Sequence, residues 1–482
     1  MSLDFSWFAD DMVLEILGHL PALDIIRYRR VCRRIYLASK ERSVWVNVFL
    51  RSECPLPPVD LEKAPTEKLE RILVRTEIIY AKWTGARLTN PRAQRKELSH
   101  HRAYCIMPPY LVVRETHESG GIKLVWLYLA DPRQRMGEHI TSFGWGSCQH
   151  FEPESGILYI AEVQEQAEDD QRKIKIVQYE VTGKDNSISK TLEHDMELPN
   201  ASSADIPSLR IQGGYLIIGV DHSQSIHLVH ITSGKMVICP TQGINAITPW
   251  GHFTNLHLTT SHLIQVDNHQ RSLSVFKLPS AQELSGPGSI LLKKTHHGSF
   301  PHIFNETCVY HRSDTSFFVV GTTEEGHLYE EGARTHVYLL IVDLDEYSSA
   351  CHIHEHDEYN VAGHKMYFSL APCSAISRST LGILGVQVPP PTHTPSGRRI
   401  ARRTRGFEPY YLGVKVAFGR EGYEKPSISL TQIDLLDAEA YQTGKRVESI
   451  NYFDPYAGQI ILHERNAQDT LANCVILDYV SP

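Results

Sequence analysis

The densest chemistry-bearing stretch of this 482-residue chain is His352-Ile353-His354-Glu355-His356-Asp357-Glu358, part of a complement of 26 histidines. If the run is extended, His352, His354 and His356 share one face, the spacing a zinc ion would use. Such a site also needs a further fixed ligand and outer hydrogen bonds that orient the imidazoles. The surrounding residues are polar, so the run reads as a solvated connection. His100-His101 and His296-His297 make weaker cases. Other chemistries lack their anchors: there is no G-x-S-x-G, H-E-x-x-H or G-x-x-x-x-G-K-[ST] motif. Carboxylates are plentiful, but nothing in their spacing places a pair across a cleft, as glycoside chemistry requires. The sequence therefore implies no catalytic residue, no metal and no cofactor.

Two basic stretches offer binding chemistry instead. Arg398, Arg399, Arg402, Arg403 and Arg405 follow a Pro389-Pro390-Pro391 run and small polar residues. Such composition keeps the chain extended, and the arginines would serve as a nuclear-import tag, a patch for acidic partners, or a solvated insertion between strands. Arg27, Arg29, Arg30, Arg33 and Arg34 alternate with apolar residues, which reads as the charged outer face of a helix. The whole chain carries a formal charge of −8, which gives no electrostatic reason for a nucleic-acid or anionic-membrane partner. Apolar residues at 41% and charged residues at 22% are the balance of a globular protein. No apolar run approaches a membrane span, and no basic segment followed by an apolar one opens the chain. Nine cysteines without a C-x-x-C pair suit reduced thiols, so a cytoplasmic or nuclear setting is expected.

The elements that would carry a binding function begin at the N-terminus. Val13, Ile16, Leu17 and Leu20 fall at i, i+3, i+4 and i+7, one stripe of a helix. Asp10 and Asp11 suit its first turn, and Gly18 with Pro21 its end. Asp24 is a plausible N-cap for a second helix with Ile25, Tyr28, Val31 and Ile35 along one side. Helices this small cannot enclose a core alone, so part of their apolar surface must be covered by the rest of the chain or by a partner.

The order of residues here resembles the F-box, a docking motif of about forty residues. An apolar-led pair (Phe8-Ala9) is followed by Asp11, Met12, Ile16-Leu17, Leu20-Pro21, Asp24-Ile25-Ile26, Val31-Cys32-Arg33-Arg34 and a closing Trp45. The family usually opens with Leu-Pro. Phe8-Ala9 lacks that proline and with it a fixed φ at the helix start. The resemblance implies a module over residues 1–50 that holds a Skp-type adaptor, and through it a cullin. It also implies Phe8, Met12, Ile16, Leu20, Pro21, Ile25 and Val31 as the adaptor-binding residues.

Beyond Pro55-Leu56-Pro57-Pro58, residues 51–100 read as a linker with one amphipathic helix. Its apolar side is Leu69, Ile72, Leu73, Thr76, Ile79, Tyr80 and Trp83, and it would be either a stiff spacer or a helix folded on the body. From about residue 101 to 482, β-rich runs pair across polar turns: 110–113 with 124–129, 156–161 with 174–181, and 214–220 with 225–231. Further pairs are 263–266 with 273–276, 317–321 with 337–342, and 458–463 with 474–480. A unit of about fifty residues approximates one four-stranded propeller blade. Without regular Gly-His and Trp-Asp signatures, the body resembles a degenerate WD-type propeller of six or seven blades. A β-sandwich pair is the alternative. Closure would come from residues 474–480 sharing a blade with strands near 104–113. The fold class is thus a small all-α module before a large all-β domain. The implied function is substrate receptor of an SCF-type cullin ubiquitin ligase, with an unidentified protein substrate on the propeller and ubiquitin transfer left to other subunits. An F-box-like scaffold without ubiquitination and a metal-dependent propeller hydrolase are the alternatives.

Overall fold

The computed structural model describes residues 9–57, 59–83, 94–98, 102–107, 110–118, 121–128, 131–141, 147–152, 156–165, 172–182, 187–197, 208–219, 225–240, 256–259, 261–267, 271–326, 333–370, 379–388, 408–418, 425–433, 445–454, 456, 458–466 and 473–478. Five helices come first: α1 (Asp10–Gly18), α2 (Ala22–Tyr28), α3 (Arg33–Ala38), α4 (Arg42–Arg51) and α5 (Thr66–Trp83). The expected single second helix is two. Cys32 is extended (φ −159°, ψ 162°) and separates α2 from α3. Nor is Asp24 the cap of α2: Pro21 holds that position, and Asp24 lies inside the first turn, where it accepts from Arg27 at 2.7 Å.

The rest is strand. Seven sheets, antiparallel except for one added strand on the third, follow one another along the chain, at residues 102–141, 147–197, 208–240, 256–299, 306–362, 364–433 and 445–478, here blades 1 to 7. Closure differs from expectation. The outermost strand of blade 7 is Gln94–Leu98, paired antiparallel with Asn473–Asp478, whereas Tyr110–Thr116 belongs to blade 1. The segment read as linker therefore supplies the closing strand, as its first residue, Arg51, supplies the end of α4.

The period-2 rule explains why the ring holds. Side chains alternate between the two faces of a strand, and each face of a blade meets a neighbouring blade. In Tyr110–Thr116, Tyr110 and Val112 pack towards blade 2, while Leu111 and Val113 pack towards blade 7. In Tyr215–Gly219, Leu216 and Ile218 meet blade 2 while Tyr215 and Ile217 meet blade 4. Phe317 and Val319 join blade 4, and Phe318 and Val320 join blade 6. The same alternation carries the blade 6–7 contact and, through Ile461 and Ile476 against Leu111 and Val113, the closing 7–1 contact. Seven blades and seven apolar layers between them make a closed ring.

The histidine run is not a loop. It lies in Cys351–Ala362, the outer strand of blade 5, where Asp343 faces His352 and Ile341 faces His354. A bulge beside Leu339 and Leu340 pairs them with Asp357 and Glu355, so the register shifts within the run. Among the described residues no group of three His, Cys, Asp or Glu is placed to hold a metal. Among them, no helix is long and apolar enough to cross a membrane. Arg398–Arg405 and Phe8 lie outside the described residues.

Candidate docking surface

The helical module builds its own core from Val13 and Leu17 of α1, Ile25 of α2, Ile35 of α3, and Val44, Trp45, Val48 and Phe49 of α4. Leu69 and Leu73 of α5 complete that core. The core stripe of α1 is Val13–Leu17, at i and i+4. Ile16, assigned to that stripe in the sequence reading, points elsewhere.

What stays outside is the informative part. Met12 and Ile16, also at i and i+4, are 51% and 47% exposed, Val31 is 50% exposed, and Pro21 is exposed. Leu20 is half-buried against the module core. Ile25, at 0%, is fully inside that core and supports the surface without lining it. Tyr28, Tyr36, Leu37 and Leu50 are also open, so seven of the thirteen large apolar side chains exposed among the described residues fall between residues 12 and 50. Scattered exposed apolar residues need no explanation, but their concentration on one short module marks an interaction surface. Arg34 of α3 pairs with Asp10 of α1 at 2.7 Å, tying the two helices that carry Met12, Ile16, Tyr36 and Leu37.

Polar contacts fix this module to α5. Arg29 makes a two-pronged pair with Glu70 at 2.6 and 2.8 Å, its Nε donates to Ser39 Oγ at 2.7 Å, and its guanidinium lies 5.4 Å over the Trp45 ring. Trp45 Nε1 donates to the Ser39 carbonyl at 2.8 Å. The hydrogen bond from Arg29 holds the Glu70 carboxyl below its usual range, against the opposing effect of burial. Arg29, expected on a solvated face, is thus largely buried. Glu77 of α5 accepts from the Ala22 N–H at 2.6 Å and the Leu23 N–H at 2.9 Å, capping α2 from another helix. From the sequence, Glu70 reads as part of the half-exposed side of α5 and Trp45 as the close of the motif, while Glu77 and the helix α4 around Trp45 give no signal.

The far end of α5 belongs to the propeller. Ile79 sits in the apolar layer between blades 6 and 7, and Lys415 Nζ of blade 6 donates to the Tyr80 hydroxyl. Ser379 Oγ donates to the Glu53 carbonyl at 2.9 Å. One helix therefore shares a core with the module at one end and with the ring at the other. Of the two roles foreseen for it, spacer and packed helix, it fills both.

Comparison with known proteins agrees with this division. Residues 10–51 match the F-box-like domain family, and the remainder is a seven-bladed β-propeller. Solved structures similar to the chain include the β-propeller domain of Nup133 from Vanderwaltozyma polyspora (10% identity, 80% of this chain and 97% of that one, TM-score 0.43). The WD40 domain of coronin from Toxoplasma gondii is another (9% identity, 81% and 87%, TM-score 0.39). A periplasmic gluconolactonase from Pseudomonas aeruginosa is a third (12% identity, 75% and 94%, TM-score 0.37). No curated protein matches. An F-box-like module joined to a propeller defines a protein-interaction architecture.

Proposed function

We propose that this chain is a substrate receptor of an SCF-type cullin ubiquitin ligase, acting in the cytoplasm or nucleus and carrying no catalytic group of its own. The helical module holds a Skp-type adaptor and hence the cullin, and the propeller offers a rigid surface for a protein substrate. Other subunits transfer ubiquitin; the receptor contributes proximity, raising the effective concentration of a substrate lysine near the loaded carrier. The observation that carries this reading is the exposure of the apolar side chains Met12, Ile16 and Val31 on a module matching the F-box-like family. F-box domains generally bind Skp-type adaptors. The shared helix α5 supports the reading further, because a stiff connection of matching length raises effective concentration more than a slack one.

The test is retention of a purified Skp-type adaptor by the full chain. Met12 and Ile16 each leave about half their side chain to be covered, worth ~1 kcal/mol apiece, and a carboxylate placed there must also be desolvated. Met12→Asp with Ile16→Asp is expected to weaken adaptor binding at least tenfold with the melting temperature unchanged. Undiminished binding would overturn the assignment. Adaptor capture without cullin would favour the scaffold reading, for which the Phe8-Ala9 opening is the sequence argument.

A further inference from the structure

Among the described residues, blade 3 carries a fifth strand, unlike the other six sheets. Its four own strands end at Lys235–Pro240, and that edge is paired in parallel with Ile290–Leu291, Val237 opposite Ile290 and Ile238 opposite Leu291. The Leu292 N–H adds a bond to the Ile238 carbonyl at 2.8 Å. The visiting strand does not belong to blade 3. It is part of the connection between Ser272–Lys277 and Lys294–Ser299, two neighbouring strands of blade 4.

A tight hairpin would suffice to join antiparallel neighbours. Instead the chain makes a detour. It passes through α6 (Ala281–Leu284), closed by a capping box between Ser280 and Glu283, then through Gly286-Pro287-Gly288, with Gly288 at φ 71°. Lys235 Nζ, on the blade 3 edge, donates to the Gly286 carbonyl. Along the strap the side chains alternate. Leu292 is buried and Ile290 half-buried in the apolar layer that contains Val237, Cys239 and Phe276, while Leu291 between them is 63% exposed. Only two residue pairs are made, in the parallel register that is the weaker of the two per residue. Leu278, Leu284, Ile290 and Leu292 pack the strap against the blade 3–4 layer, and its tether at both ends adds an effective concentration on the order of millimolar.

We infer that the outer edge of blade 3 is a strand-accepting docking site and that the 278–293 strap is its resident, displaceable occupant. The partner that fits is an extended peptide with aliphatic side chains two residues apart. Main-chain bonds to the edge supply affinity, and the two positions now filled by Ile290 and Leu292 set register. This site is separate from the helical docking surface and does not depend on the adaptor assignment.

The probe is a fluorescein-labelled peptide of the sequence Ser285–Lys294, read by polarisation against three full-length chains. The first is unaltered, the second has residues 279–292 replaced by a short Gly/Ser hairpin loop, and the third carries Ile290→Gly with Leu292→Gly. The peptide is expected to bind both variants at least tenfold more tightly than the unaltered chain, and a peptide with Asp at the positions of Ile290 and Leu292 is expected to bind none. Equal, weak binding to all three chains would overturn the proposal. So would loss of the cooperative melt in both variants, since the strap would then be a staple of blade 3 and not an exchangeable ligand.

Discussion

Substituting Glu77 isolates the coupling between α5 and the docking module. The α2 helix has no cap of its own, because Pro21 at the cap position offers no side-chain acceptor. Its first two N–H groups, on Ala22 and Leu23, both reach the Glu77 carboxylate, at 2.6 and 2.9 Å. Losing an N-cap costs about 0.5–2 kcal/mol, and a hydrogen bond to a charged group contributes about 1.5–3 kcal/mol. Ala22 is fully buried, so water replaces the lost acceptor poorly there, whereas Leu23 is only half-buried. The two effects place Glu77→Ala near 2 kcal/mol. Expressed as local opening of α2, that is roughly a thirtyfold faster exchange of its amide protons, since ~1.4 kcal/mol is tenfold. Hydrogen–deuterium exchange over residues 22–28 measures this directly, with the blade strands as internal control. Glu77→Gln keeps one acceptor oxygen without the charge and should fall between. Unchanged exchange of α2 in the alanine variant would refute the idea that α5 caps α2, and with it the claim that the module is held rigidly against the ring.

Other expectations follow from the same contacts. The Glu70 carboxyl is held low by Arg29, so its folded value lies below its unfolded one, and its contribution to stability is complete above the ordinary carboxylate range and lost as pH falls through the depressed folded value. The melting-temperature gap between the unaltered chain and Glu70→Gln should therefore be constant near neutrality and shrink on acidification; a gap independent of pH would contradict it. At Gly321 a Cβ would stand 2.3 Å from the Phe304 ring, inside the blade 4–5 layer, so Gly321→Ala should cost about 1–3 kcal/mol in denaturant unfolding, and a neutral result would show that Phe304 can swing away. Deleting residues 94–98 strips the outer strand from Asn473–Asp478 and should both lower the melting temperature and promote aggregation through the exposed edge, measured by light scattering.

How much of this was legible in the sequence depends on how a residue's surroundings are determined. The two middle strands of a blade are buried on both faces, and runs such as Phe317–Val320 or Tyr215–Ile218 announce themselves without knowledge of their neighbours. Six of the seven central hairpins could be read that way. The seventh, Ser379–Val388 with Glu408–Ala417, was hidden because a Pro- and Arg-rich sequence separates its strands. Outer strands have one wet side and polar composition, and so Cys351–Ala362 read as a loop and Gln94–Leu98 as linker.

The docking module shows the opposite difficulty. In α1, residues 12, 13, 14, 16 and 17 are all apolar, which leaves two overlapping stripes and no local rule to choose between them. The choice is made by α4, which covers Val13 and Leu17 and leaves Met12 and Ile16 open. Charged residues are harder still: Arg29 and Glu70 each look like a solvated helix face, and only their meeting across 41 positions shields both from most of the solvent. Yet this ambiguity carries information. A helix with a single partner needs one apolar stripe, and a second stripe on so small a module would be a solubility liability unless something else covers it. The redundancy that blurred the fold in the sequence is thus the same property that leaves α1 with a second apolar stripe open after its own core is filled.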